Sequence, residues 1–439
     1  MMISELRDVF VWTWLPGEVE PVVAGRIVPE GARYDFAYGR SYLSRKNAIP
    51  LYLPELPLQT GQQAPLGPLD MANCLRDGLP DRWGRRVIIN RLTDRKGADA
   101  ADVEFSDLAY MLESGSDRIG ALDFQTSATK YIARGGGRTT PDDLAELARG
   151  GGTATLDDLA EFAGNIEAGK PVPAQLEQAI LHGSSIGGAR PKALLDDADR
   201  KLIVKFSASN DVISMVKAEF IAMRLAARIG VNVAPVELAQ ALGKDALIVE
   251  RFDRVRGARG WTRRAMVSAL TILGESEMSA HHLSYGELAD QIRARFIKPG
   301  ETLRELFLRL VLNILVGNTD DHARNHAAFW DGDMLTLTPA YDIAPQVRAA
   351  HEANQAMVVA DGDRRACLET CLIAAGKFLL RTGEARDIID NAVDVIRRDW
   401  RDVCDEAGLP DVERRAFAGR QFFNAYAFEG FGAVPDLGN

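Results

Sequence analysis

Three residues of this chain have types and spacing that could carry chemistry: Asp320, Asn325 and Asp342. Four residues separate Asp320 from Asn325, and Asp342 follows beyond a turn signal at residues 331–332. Phosphoryl-transfer sites of protein kinases use this order: a first Asp takes the hydroxyl proton, and a following Asn and a later Asp hold magnesium. A polar loop that caps a helix and turns its carboxylates to water would contain the same residues. The spacing alone therefore leaves both interpretations open.

The segments on either side must position these side chains. Residues 303–316 are mostly apolar with a thin polar stripe, which predicts a largely buried helix, and Gly317 suits its end. Asp331-Gly332 is a hairpin signal, and residues 334–338 have the composition of a strand. A buried helix, a polar loop and a short hairpin would bring the three residues close together.

A second group of residues could bind phosphate. Gly183, Gly187 and Gly188, with Ser184 and Ser185, predict a flexible polar loop, which two short predicted strands follow (Ala193–Leu195 and Lys201–Phe206). Backbone N–H groups of such a loop and a strand lysine, Lys205, are suited to phosphate oxygens. A plain hairpin with an exposed lysine fits the same residues. Because side chains alternate along a strand, Lys205 faces away from Val204 and Phe206, but the buried face stays undecided.

Two features follow this hairpin. Residues 246–252 predict a strand, and in a two-lobed kinase the strand that enters the hinge offers backbone groups to adenine; Glu250 and Phe252 lie there. Six arginines then occur between Arg251 and Arg264. They predict either a phosphate-binding or partner-binding surface, or a solvated loop.

The chain divides by composition into four predicted parts: an α+β subdomain at 1–133, a Gly-punctuated helical linker at 134–178, a kinase small lobe at 179–260 and a helical lobe at 261–439. We expect the linker to act as a hinge or spacer. Strands are predicted within 8–28 and at 34–42, 48–53 and 119–124. Helices are predicted within 68–92 and at 102–112, 213–230, 265–272, 285–296, 302–316, 368–381, 384–406 and 411–427.

Composition limits the class of protein. The 439 residues carry a net charge of −10, which disfavours non-specific nucleic-acid binding by the whole chain. No run of eighteen apolar residues and no signal-peptide pattern occurs, so we expect no membrane span and a cytoplasmic location. Four cysteines are too few for a disulfide scaffold and are expected to be core or surface thiols.

Several ordered motifs show a resemblance to the HipA family, bacterial serine/threonine kinases of type II toxin–antitoxin modules. The N-terminal motifs are Leu79–Arg86 and Asp117–Leu122. The kinase motifs are Ser185–Lys192, Ile203–Phe206, Val249–Arg254, Asn318–Asn325 and Tyr341-Asp342. The resemblance implies an α+β, two-lobed protein-kinase-like fold with an extra N-terminal α+β subdomain and a mostly helical C-terminal lobe.

The resemblance also implies roles for individual residues. Asp320 would be the catalytic base, and Asn325 and Asp342 would bind Mg²⁺; Asp321 becomes a neighbour with a structural or orienting role. The ATP-binding residues would be Lys205, Gly187, Gly188, Lys192, Glu250, Phe252 and Asp253, the last of these at the ribose. Ser185 matches the serine that family members autophosphorylate, with Ser184 as an adjacent competitor.

Partners are implied in the same way. A HipB-like DNA-binding antitoxin would bind the chain, and DNA would be contacted only through it. The protein substrate would be translation-related, for example an aminoacyl-tRNA synthetase. Two other functions stay open on sequence: a nucleotide-binding scaffold or co-repressor with vestigial chemistry, and a kinase that acts on a small molecule.

Overall fold

The structure is a computed structural model that describes residues 8–93, 105–134, 156–167, 190–197, 199–208, 211, 213–348 and 350–438. The chain forms two compact units. The first comprises Met1–Asn210, Ala239–Val267 and Phe329–Asp333, and the second comprises Asp211–Leu238, Ser268–Ala328 and Met334–Asn439. The four-part division expected from composition stays a prediction.

The first unit contains a five-stranded antiparallel sheet of order β4-β3-β2-β1-β5. Its strands are β1 (Val9–Thr13), β2 (Val22–Glu30), β3 (Arg33–Tyr38), β4 (Gln62–Gln63) and β5 (Leu122–Gln125). Alternating residues Val9, Val11, Ile27 and Phe124 are buried, so one face of this sheet forms a core. Short helices surround it: α1 (Arg40–Leu43), α2 (Asn73–Arg76), α3 (Arg82–Leu92) and α4 (Asp107–Glu113).

A second sheet has the order β6-β7-β9-β8. Its strands are β6 (Lys192–Asp196), β7 (Lys201–Phe206), β8 (Val236–Ala241) and β9 (Lys244–Glu250), and a hairpin of β10 (Arg254–Gly257) and β11 (Gly260–Arg263) follows. The helix α5 (Leu156–Glu167) buries Leu159 and Ala163 in one cluster with Val204 and Phe206. The described part of the predicted linker, α5, is therefore packed in a core, and the expected role as a hinge or spacer stays a prediction.

The second unit is mostly helical. Its helices are α6 (Met215–Arg228), α7 (Ala269–Leu273), α8 (Tyr285–Arg295), α9 (Pro299–Leu315), α10 (Leu368–Ala374), α11 (Thr382–Glu406) and α12 (Asp411–Phe417). Short 3-10 helices are present at Ala280–His282, Ala323–Asn325, Ala375–Phe378 and Ala425–Phe428. The chain also contains three short strands, β12 (Met266–Ser268), β13 (Ala327–Trp330) and β14 (Leu335–Leu337), which pair in the order β12-β13-β14 and are not assigned to a single unit.

The helix α9 is at the centre of this unit because most of its surface is apolar. Pro299 occupies its first turn, where no backbone N–H is needed, and ten of its residues are buried. The ring of Phe307 lies 5.3 Å from that of Phe378, and the long helix α11 packs beside it. Ion pairs of Arg224 and Arg228 with Glu406 join α6 to the end of α11.

Several predicted elements differ from the structure. Arg40–Leu43, at the end of the strand predicted at 34–42, is the helix α1, and the helix predicted at 411–427 ends at Phe417. Residues 48–53 form no strand, because the carbonyls of Ile49 and Pro50 accept hydrogen bonds from the side chains of Tyr42 and Trp330. The predicted helix 265–272 begins as the strand β12, because pairing with a neighbouring strand overrides its helical pattern. The helix itself starts only at Ala269, after Ser268 caps it.

Candidate active site

The loop after α9 has a fixed starting point. Gly317 has a φ of +70°, a left-handed conformation that favours glycine. A Cβ atom at this position would lie 2.5 Å from the carbonyl oxygen of Gln421, so no larger residue fits without movement. The next residue, Asn318, donates from its backbone and side chain to Asn313 of the helix. Helix and loop are therefore joined by close packing and by two hydrogen bonds.

Within this loop, hydrogen bonds connect Asp320 to Asn325. The carbonyl of Asp320 accepts from the Asn325 side-chain amide at 3.2 Å and from the backbone N–H of His322 at 2.9 Å. The backbone N–H of Asn325 donates to the carbonyl of His322. The Asp320 side chain remains exposed, whereas Asn325 is buried. The structure thus brings these two predicted residues together on one ordered turn.

The segment that leads to Asp342 is hydrogen-bonded to a buried arginine of α9. Arg309 of α9 donates to the carbonyl of Thr338 at 2.8 Å and pairs with Glu305 one helical turn earlier. Tyr341 donates from its hydroxyl to the carbonyl of Arg324, at 2.7 Å. Asp342 then adopts a φ of +57°, which aspartate tolerates better than most residues. The helix, the loop and the residue before Asp342 are therefore connected directly.

The pKa of Asp320 depends on its surroundings in this loop. Partial removal of water raises the pKa of the Asp320 carboxyl above its ordinary value. The adjacent His322 opposes this rise in pKa, and the negative charges of Asp342 and Asp321 add to it. A raised pKa makes this carboxylate a better proton acceptor near neutral pH.

Asp321 has the opposite environment from its neighbour. It is buried, and its carboxylate accepts hydrogen bonds from Tyr285 and from His326 Nε2, the latter at 3.0 Å. Burial alone would raise the pKa of Asp321, but His326 and Tyr285 outweigh it and hold the pKa below its ordinary value. Sequence reasoning expected a structural or orienting role for Asp321 and missed Tyr285, which lies 36 residues away in the chain.

The residues fit a magnesium ion in their chemistry. Asn325 uses its amide nitrogen towards Asp320, which leaves a carboxamide oxygen, and Asp342 adds a carboxylate; oxygen donors are what Mg²⁺ prefers. Among the described residues no three His, Cys, Asp or Glu side chains could hold a metal by themselves. A kinase magnesium site does not need such a set, because substrate phosphates supply further ligands.

In the first unit, the burial pattern of the strand β7 shows which face of the sheet Lys205 lies on. Val204 and Phe206 pack into the cluster with Trp83 and Leu159, so Lys205 belongs to the opposite face of the sheet. In the register of β6 and β7, Lys192 lies directly opposite Lys205. The alternation expected from sequence is confirmed, and the buried face is the one that contacts α3 and α5.

Lys192 is positioned by a residue outside the predicted site. Its ammonium lies 2.8 Å from Asp81, the residue that caps α3 by accepting from the backbone N–H of Gly84. Lys192 is almost fully buried there. The ion pair with Asp81 gives the lysine a structural contact, and the predicted contact of Lys192 with a nucleotide stays a prediction.

The segment after β9 contains the residues predicted near adenine. Glu250 ends the strand, and the ring of Phe252 lies 5.9 Å from that of Phe329, edge to face. Asp253 is buried, with Arg251 and Arg254 at 2.9 and 2.8 Å and the backbone N–H of Gly120 at 2.7 Å. In this structure the carboxylate of Asp253 is occupied by these donors, and its predicted ribose contact stays a prediction.

The six arginines of this segment are engaged within the first unit. Arg251 and Arg254 also pair with Asp117, at 3.1 and 2.6 Å. The other four arginines have different contacts: Arg256 with Asp199, Arg259 with Glu18, Arg263 over the ring of Trp14 and Arg264 over the ring of Phe329. Arg251 and Arg254 are buried and form internal ion pairs, whereas Arg256, Arg259 and Arg264 are exposed. For these exposed arginines both sequence interpretations, a binding surface and a solvated loop, stay predictions.

Four predicted site residues, Ser184, Ser185, Gly187 and Gly188, lie outside the described residues, and their roles stay predictions. The four cysteines, by contrast, are described, and all of them are buried free thiols. The helices of the described residues include none with the length and apolar character needed to cross a bilayer.

Comparison with known proteins supplies the family. The model of the HipA-like C-terminal domain matches residues 184–400, and that of the HipA N-terminal domain matches residues 18–125. The chain belongs to the HipA family. Together the two matches span about three quarters of the chain and contain every motif that carried the resemblance.

Individual HipA relatives agree with this membership. A protein of Sinorhizobium fredii named as a candidate kinase, Y4mE, is 26% identical over 71% of this chain and 72% of its own length. The serine/threonine-protein kinase toxin HipA of Shewanella oneidensis is 31% identical over 32% of this chain and 36% of its own length.

The fold of the HipA-family chain also has a solved counterpart. HipA in the Shewanella oneidensis complex of HipA, HipB and operator DNA matches with a TM-score of 0.64 and 19% identity, over 92% of this chain and 93% of that one. The predicted kinase-like α+β fold is confirmed by this match.

Proposed function

We propose that this chain is an ATP- and magnesium-dependent serine/threonine protein kinase and the toxin of a HipBA-like toxin–antitoxin module. The observation that carries the proposal is the loop on which Asp320 and Asn325 are hydrogen-bonded, with the charge of Asp342 acting on Asp320. The kinase names of the two relatives support the same class of reaction.

In this proposal, Asp320 accepts the proton of a serine or threonine hydroxyl while that oxygen attacks the γ-phosphorus of ATP and ADP leaves. Asn325 and Asp342 would hold magnesium, which, when bound, neutralises charge on the phosphate oxygens. Lys205 and the backbone of Gly187 and Gly188 contact phosphates. Glu250 and Phe252 lie at the adenine.

We further propose that the kinase autophosphorylates on Ser185, with Ser184 as the alternative. A phosphoserine adds about −1.5 to −2 charges beside the phosphate-binding glycines, which would weaken ATP binding. Ser185→Ala and Ser184→Ala variants, digested after incubation with ATP and analysed by mass spectrometry, identify the modified serine.

The partner and the substrate are also proposals. The solved Shewanella oneidensis match contains HipB and operator DNA, which supports a HipB-like antitoxin that contacts DNA on behalf of this chain. For the substrate we propose a translation-related protein such as an aminoacyl-tRNA synthetase. Phosphoproteomics after brief expression of the parental chain and of Asp342→Asn would identify it as the site that only the parental chain modifies.

The test of the kinase uses the purified full chain and γ-labelled ATP, with magnesium and with a chelator. We expect magnesium-dependent label on protein serine in the parental chain and none in Asp342→Asn. Binding of ATP without phosphate on any serine would instead indicate a nucleotide-binding scaffold or co-repressor. Label on a metabolite but not on protein would indicate a small-molecule kinase.

A further inference from the structure

Two buried residues lie next to the candidate catalytic residues Asp320 and Asn325 in the sequence. Asp321 directly follows Asp320, and His326 directly follows Asn325. Each of these neighbours is only 2% exposed, and they are joined by the 3.0 Å hydrogen bond between Asp321 Oδ2 and His326 Nε2. This bond closes the segment 321–326 into a loop that contains Asn325 and that Asp320 directly precedes.

A third buried residue comes from a different helix. Tyr285, in the first turn of α8, is fully buried and donates from its hydroxyl to the same oxygen of Asp321. Its ring meets the imidazole of His326 edge to face, with centroids 5.6 Å apart. The backbone of His326 is held as well, since its carbonyl accepts from the N–H of Ala269 at 2.7 Å. Residues of α7 and α8 therefore hold the segment 321–326 in place through hydrogen bonds.

From this geometry we infer that Tyr285, Asp321 and His326 are positioning residues that set the separation between Asp320 and Asn325. The inference rests on the proposed function, because that separation matters only if the first residue takes a proton and the second holds a cation. None of the three residues needs to touch substrate. A loss of the network would let the turn widen, and a displacement of about 1 Å can cost roughly 100-fold in rate.

The experiment measures single-turnover autophosphorylation of the full chain over a range of MgATP concentrations. For Asp321→Asn we expect a maximal rate constant lower by roughly 100-fold, and for Tyr285→Phe a smaller loss in the same direction. The half-saturating MgATP concentration should stay at the parental value in both variants. A change in rate alone indicates that the network acts in the transition state and not on MgATP binding. In the double variant Asp321→Asn/His326→Phe, the loss should not exceed that of Asp321→Asn, since the residues act as one unit.

Tyr38→Phe is the matched control. Tyr38 is a buried tyrosine of β3 whose hydroxyl donates to the carbonyl of Leu56 at 2.7 Å and accepts from the backbone N–H of Leu51 at 2.8 Å, so the variant loses buried hydrogen bonds away from the loop. We expect Tyr38→Phe to lower the melting temperature at least as much as Tyr285→Phe, while only Tyr285→Phe lowers the maximal rate.

The inference is overturned if folded Tyr285→Phe and Asp321→Asn proteins transfer phosphate at the parental rate. It is also overturned if Tyr285→Phe and Tyr38→Phe lose rate equally, because the effect would then follow stability alone. Failure of the proposed function looks different: the parental chain itself would transfer no phosphate, and the inference would fall with it.

Discussion

Asp253 and Asp320 lie in environments of opposite charge. Burial would raise the pKa of Asp253, but Arg251 and Arg254 outweigh it and hold the pKa below its ordinary value. At Asp320, partial desolvation and two negative neighbours, Asp342 and Asp321, raise the pKa. The carboxylate of Asp253 is thus paired with two arginines, while that of Asp320 has two carboxylates near it and His322 opposes their effect on its pKa.

The comparison separates a stabilising site from a candidate chemical one. A buried carboxylate enclosed by arginines has its charge satisfied in the folded chain, and its removal should affect folding. A carboxyl with a raised pKa, such as that of Asp320, is suited to take up a proton, and perturbed pKa values gather at functional sites. The same residue type therefore lies in two different electrostatic environments.

The largest predicted effect on stability concerns Asp253. Its replacement, Asp253→Asn, leaves the buried Arg251 and Arg254 with less compensation, and breaking a buried pair costs about 3–5 kcal/mol. Urea unfolding of the parental chain and the variant measures this loss. The control is Asp363→Asn, which removes an exposed pair with Arg365 and should cost at most about 1 kcal/mol. Equal losses in the two variants would remove the distinction between the regions.

A smaller effect on stability is expected at the start of the candidate loop. Gly317→Ala places a Cβ in a left-handed residue and against the carbonyl of Gln421, so we expect a loss of roughly 1–3 kcal/mol. Gly164→Ala is the matched control: it lies in α5, where a Cβ meets no atom within 4 Å, and alanine should stabilise that helix by about 0.5–1 kcal/mol. Thermal unfolding should therefore shift in opposite directions, and a stabilised Gly317→Ala would contradict the described packing.

The smallest effect is the pH dependence at Asp320. Because its pKa is raised in the folded chain, its favourable contribution is present below the unfolded pKa and is lost as pH rises through the folded value. Asp320→Asn should therefore be slightly more stable than the parental chain at pH 7, by less than about 1 kcal/mol for so exposed a group. The gain should vanish below about pH 4, near the unfolded pKa. For Asp253→Asn the pH dependence has the opposite sign: its loss of stability is full at pH 7 and shrinks as the pH falls through the lowered pKa of Asp253.

Much of the candidate site could be predicted from local pattern. The helix expected at 302–316 is observed at Pro299–Leu315, and the strand pair expected around Lys205 is observed at Lys192–Asp196 and Lys201–Phe206. Apolar periodicity, a helix-ending glycine and a turn signal are properties of neighbouring residues, so the sequence displays them directly.

The rest depends on contacts between distant residues. Tyr285 meets Asp321 from another helix, and the arginine cluster pairs Asp253 and Arg254 with residues more than 130 positions away. The sequence shows only that several arginines are close together. Which of them are buried, and which residues they pair with, depends on tertiary packing. The same reason applies to Asp253, because its motif predicted a ribose contact, which stays a prediction, and did not show the arginines that pair with it.

The most direct test of the account is phosphate transfer from labelled ATP by Asp320→Gln, with Asp333→Asn as an exposed-carboxylate control. A general base contributes roughly 10²- to 10⁴-fold to rate, so Asp320→Gln should lose transfer by that factor while it stays folded. Asp333→Asn should transfer at the parental rate. If folded Asp320→Gln labels itself as fast as the parental chain, Asp320 is not the base, and the contrast with Asp253 has no catalytic meaning.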